Sequence, residues 1–66
     1  MDILLNGEPR QLADATCIAD LLRAEGLAER RVAVEVNGRI VPRGRHAEHA
    51  LAAGDRVEIV HALGGG

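Results

Sequence analysis

Two Asn-Gly pairs, Asn6-Gly7 and Asn37-Gly38, each lie between short runs of alternating apolar residues. Both residues of such a pair tolerate positive φ, which a tight two-residue hairpin turn demands. Each pair therefore predicts a β-hairpin. In the first, Met1, Ile3 and Leu5 alternate with Asp2, Leu4 and Asn6, and a return strand runs from about Glu8 to Leu12. Pro9 cannot donate to a sheet ladder, so it belongs in the turn or on an edge. In the second, Val32, Val34 and Val36 lead through the turn into Arg39-Ile40-Val41, and Pro42 ends the strand.

Between the hairpins, Ile18, Leu21, Leu22 and Glu25 fall at helical spacing, so three apolar residues share one stripe. Thr16 is the expected N-cap, and Gly26 followed by Leu27 supplies the left-handed stop. The helix should run from about Cys17 to Glu25. The segment RGRHAEHALAAG is Ala-rich and weakly helical, with Gly54 as its stop, and a last strand spans Asp55 to His61. The order is β-β-α-β-β-(short helix)-β. Two hairpins flanking a helix cannot make an all-parallel sheet. The economical solution is an α+β fold, a mixed sheet of about five strands around one main helix, with the last strand beside the first at the centre. That is the β-grasp, or ubiquitin-like, arrangement. It assigns residues 1–62 to one domain and 63–66 to a flexible C-terminal tail.

Composition narrows the function. The 66 residues allow one small domain whose ordering costs about 100 kcal/mol, barely offset by apolar burial. No Phe, Tyr or Trp is present, so the core is aliphatic and there is no stacking platform for single-stranded nucleic acid. The net charge of −2 leaves no basic footprint for a phosphate backbone. The single Cys17 precludes an internal disulfide. No apolar run approaches a membrane span, and the N-terminus lacks the pattern of a signal peptide. The expectation is a cytoplasmic protein with no nucleic-acid or membrane partner.

The sequence closes on HALGGG. If the last strand stops near His61 or Ala62, residues 62–66 extend at most ~18 Å beyond the body. Glycines let such a segment pass through a narrow channel and deliver the α-carboxylate of Gly66. A carboxylate is a poor electrophile. Adenylation with ATP makes it a mixed anhydride, and a sulfur nucleophile can then displace AMP to leave a thiocarboxylate. The carrier needs no catalytic side chain and no bound cofactor for this.

Over essentially its whole length the chain resembles the ThiS family of thiamine-biosynthesis sulfur carriers. The resemblance rests on MDILLNGEP, TCIADLL, VEVNGRIVPR and GDRVEIVHALGGG, in that order. It implies that Gly65 and Gly66 form the sulfur-carrying terminus, with Gly64 and Leu63 in a passage role. It also implies three partners: a ubiquitin-activating-like adenylyltransferase that uses ATP, a cysteine desulfurase or rhodanese-type sulfur donor, and thiazole synthase as acceptor. The protein would be a co-substrate rather than an enzyme. Rival readings are a carrier for another acceptor, such as a molybdopterin-synthase small subunit, a protein modifier, and a non-covalent β-grasp binding module.

Other residues compete for attention. The Asn37-Gly38 turn pairs Glu35 with Ile40 and sets Ile40 on the open face of the sheet. Leu4 and Val60 share that outward parity. The three are expected to form a small apolar docking patch near the tail. Arg39, Arg43, Arg45 and Arg56 suggest a positive rim, with Arg43 the candidate partner contact. Cys17 opens the helix, where a thiol can gain reactivity, but a lone Cys is more often a small apolar filler. His46, His49 and His61 make a nominal zinc set without supporting ligand spacing, so no metal is assigned.

Overall fold

In a computed structural model, which describes residues 1–61, the chain forms a five-stranded sheet with one α-helix packed on one face. The strands are β1 (Asp2–Leu5), β2 (Glu8–Gln11), β3 (Val32–Val36), β4 (Arg39–Val41) and β5 (Arg56–His61). The helix, α1, is Ile18–Ala24. The sheet order is β2-β1-β5-β3-β4. β1 and β5 pair in parallel at the centre, and all other neighbours are antiparallel. The expected placement of the last strand beside the first is what the chain adopts.

Both hairpin turns take the backbone the sequence demands. Asn6 and Gly7 have φ of 51° and 83°, Asn37 and Gly38 have 54° and 86°. Positive φ at both central positions matches the right-handed twist of the flanking strands. Pro9 lies in β2, an edge strand, where its missing N–H faces no neighbour.

Ile18, Leu21 and Leu22 of α1 pack on Ile3, Leu5, Val34, Val36, Val41, Val57 and Ile59 of the sheet. The helix ends in a Schellman motif: the Gly26 N–H donates to Arg23 O and the Leu27 N–H to Leu22 O. Arg10 of β2 grips the carboxylate of Glu25 with two hydrogen bonds, at 2.5 and 3.2 Å. That hydrogen bond and the negative charge raise the affinity of the guanidinium for its proton.

Two local expectations are corrected. Thr16 does not cap the helix; its hydroxyl donates instead to Ala13 O at 2.7 Å. Cys17 occupies the N-cap position and makes no side-chain cap bond. The Ile18 and Ala19 N–H groups donate to the carbonyls of His49 and His46, at 3.1 and 3.0 Å. Orphan donors at a helix start must find acceptors, and here a distant loop supplies them. That loop holds the second correction: the expected short helix is present as a single 3-10 turn, Arg43–Arg45, but it does not extend toward Gly54. Ala50 bridges Cys17, and the Leu51 N–H donates to Thr16 O at 2.8 Å. Leu51 is 3% exposed, so the segment gains more by plugging one leucine into the core than by coiling on weak alanine propensity.

Candidate functional site

β5 is the strand that leads toward the C-terminal residues. It is held along both sides. β3 pairs with it from Val36↔Val57 to Val32↔His61. β1 is shorter and its register with β5 is Leu4↔Arg56 and Leu5↔Val57. Where β1 stops, Asn6 takes over. Its backbone N–H donates to Val57 O at 2.8 Å, and its side-chain oxygen accepts the Ile59 N–H at 2.8 Å. Asn37 does the same from the other hairpin: its side-chain oxygen accepts the Arg56 N–H at 2.9 Å and its Nδ2 donates to Asp55 at 3.0 Å. Each turn asparagine therefore both bends its own hairpin and clasps the central strand. On the β1 side the hold reaches Ile59, and on the β3 side the pairing continues to His61. Leu63, Gly64, Gly65 and Gly66 lie outside the described residues.

The open face of the sheet carries Leu4, Ile40 and Val60, with relative exposures of 38%, 64% and 57%. The Glu35↔Ile40 pairing is as the turn requires. The three side chains do not gather into one contact. Leu4 is level with Arg56, at the start of β5, whereas Val60 is about 13 Å further along at strand rise. Glu58 and Glu35, paired across β5 and β3, occupy the row between them, and Ile40 ends that row on the edge strand. Only Val60 is near the end of β5.

Residues 3–66 match the family model described as ThiS family. The chain belongs to the ThiS family. It is 30% identical to the sulfur carrier protein ThiS of Escherichia coli over the full length of both chains. It is also 42% identical to a thiazole synthase of Magnetococcus marinus, and there it spans 20% of the relative's length. The crystal structure of a thiamine biosynthesis protein, ThiS, from Geobacter metallireducens superposes with a TM-score of 0.86 at 32% identity, each chain covered in full. This agrees with the β-grasp architecture described above.

Within this ThiS-family chain the remaining candidates are dispersed. The thiol of Cys17 is half-buried at the head of α1. His46 is 6% exposed and its Nε2 bonds the Val41 carbonyl at 2.9 Å, a structural role that its polar surroundings in sequence did not announce. Among the described residues no three His, Cys, Asp or Glu side chains converge as metal ligands. No described helix is long and apolar enough to cross a membrane. The four arginines do not make one rim: Arg39 pairs with Val36 and Arg56 with Leu4 at one end of the sheet, while Arg43 and Arg45 lie in the 3-10 turn beyond β4. Sequence reasoning missed Arg23 and Arg30, which line a cleft together with Arg43. No periodicity marks them; only the fold brings them together.

Proposed function

We propose that this protein is a sulfur carrier whose Gly66 carboxylate is adenylated and converted to a thiocarboxylate. The observation that carries the reading is the full-length match to the ThiS family and to a sulfur carrier of the same length, running through the final glycines. A ubiquitin-activating-like adenylyltransferase would take ATP, release pyrophosphate and leave an acyl-adenylate on Gly66. The outer sulfur of a cysteine desulfurase or rhodanese-type persulfide would displace AMP to give an acyl disulfide, and a thiol reductant would then cleave its S–S bond to leave the thiocarboxylate. Thiazole synthase is the proposed acceptor, and relatives named thiazole synthase that contain a matching segment support it. Gly65, Gly64 and Leu63 form the narrow lead that lets Gly66 enter each partner. The body acts as a recognisable handle, a co-substrate rather than a catalyst. The compartment we propose for this chemistry is the cytoplasm.

The test is fragment-ion mass spectrometry of the protein after incubation with the adenylating enzyme, ATP and a sulfur donor under reducing conditions. Exchange of one oxygen for sulfur at Gly66 is expected. A carboxylate that stays unmodified in that mixture overturns the reading.

A further inference from the structure

An acidic protein has a cleft without an acidic lining. It lies between α1, the start of β3 and the 3-10 turn, with a volume of about 210 Å³. Arg23, Arg30 and Arg43 line it together with Ala19, Ala28 and Ala47, and none of its lining residues is a carboxylate. Asp20 pairs with Arg23 at 2.9 Å. Among the described residues, Arg30 and Arg43 have no ion pair. His46 forms part of the wall and is itself fixed by its bond to Val41. Val32, another wall residue, is the register partner of His61. The cleft therefore sits at the end of the sheet where β5 finishes, on the helix side.

We propose that this cleft is a docking site for an acidic side chain of the protein that takes up the C-terminal residues. Charge selects the occupant. Two unpaired guanidinium forks favour a carboxylate, which each can hold bidentately. The apolar lining residues, Leu22 and Val32 among them, can receive the methylene stem of the acid. Position selects the partner, because a protein that engulfs residues beyond His61 must lie against this end. The inference rests on the sulfur-carrier reading for the identity of that partner.

Calorimetric titration of the full chain into the adenylating enzyme, and separately into thiazole synthase, tests it. The double variant Arg30→Glu/Arg43→Glu should bind at least one of them with a Kd raised at least about tenfold, and the loss should shrink at high salt. The neutral pair Arg30→Gln/Arg43→Gln should show a smaller loss. Arg39→Glu/Arg56→Glu makes the same charge change at the opposite end and should cost less than about twofold. Thermal midpoints check that each variant is folded. Equal losses in the two charge-reversed doubles, or none in either, overturn the proposal. So does saturable displacement of the Arg30 and Ala47 amide resonances by millimolar phosphate, which would make this a site for a small anion. Failure of the carrier reading shows elsewhere, as an unmodified Gly66 with binding intact.

Discussion

The side-chain oxygen of Asn6 accepts the backbone N–H of Ile59 at 2.8 Å, across 53 residues of sequence. The bond lies where β1 has ended and β5 continues, so a side chain completes a ladder that the backbone has left. The bond extends the hold on β5 from Val57, where the β1 register ends, to Ile59.

Asn6→Gly isolates the clasp. Glycine accepts the φ of 51° without strain and removes the side-chain bond, with a smaller added entropic cost from the unfolded chain. The expected loss is about 1 kcal/mol, the net worth of one hydrogen bond. Asn6→Ala loses the same bond and also asparagine's tolerance of the left-handed backbone, for about 2 kcal/mol in all. Urea denaturation of both variants checks the difference. An Asn6→Gly protein as stable as the native one would show that the clasp contributes nothing.

Leu51 is the single buried apolar residue between Val41 and Val57. Its burial pins a segment whose carbonyls at His46 and His49 cap α1. Leu51→Ala should therefore cost about 2–5 kcal/mol. In a domain this small that is a large share of the total. Hydrogen exchange should show the Ile18 and Ala19 amides losing protection together with residues 49–51. Unchanged protection at α1 would mean the loop and the helix are not coupled.

Much of the fold was legible because the signals were local. Each Asn-Gly turn is written in two adjacent residues, the helix in a spacing of three and four, and its end in Gly26-Leu27. What escaped was long-range. Nothing near Thr16 reveals that carbonyls some thirty residues later will take the helix donors. Nothing in RGRHAEHALAAG separates a weak helix from a loop tied down by Leu51. The same limit applied to sites. Parity placed Leu4, Ile40 and Val60 on one face, but only the β1–β5 register shows how far apart they lie. Arg23, Arg30 and Arg43 meet through tertiary structure alone.

That separation makes a prediction about recognition. Residues more than about 7–10 Å apart with no shared partner act independently. If all three contact the adenylating enzyme, Leu4→Ala, Ile40→Ala and Val60→Ala should reduce its affinity additively. The stability costs should stay within about 0.5 kcal/mol for Ile40 and Val60 and be larger for Leu4, which is 38% exposed. Strong non-additivity in the triple variant would mean one partner side chain spans the three. If Ile40→Asp leaves adenylation unchanged, Ile40 has no place in the contact.

Cys17 and Gly66 offer opposite predictions for sulfur loading. A persulfide held in transit on Cys17 would need a polar, donor-rich pocket. The nearest helix donors, the Ile18 and Ala19 N–H groups, are already given to the His49 and His46 carbonyls. Cys17 bridges Ala50 through its backbone, which any residue can do. Cys17→Ala should therefore fold with a loss below about 1 kcal/mol and accept sulfur at the native rate. Removal of Gly66 should leave the thermal midpoint of the body unchanged and abolish loading, read by the same fragment-ion measurement. Loss of loading in Cys17→Ala, with the fold intact, would move the sulfur-handling step onto the head of α1.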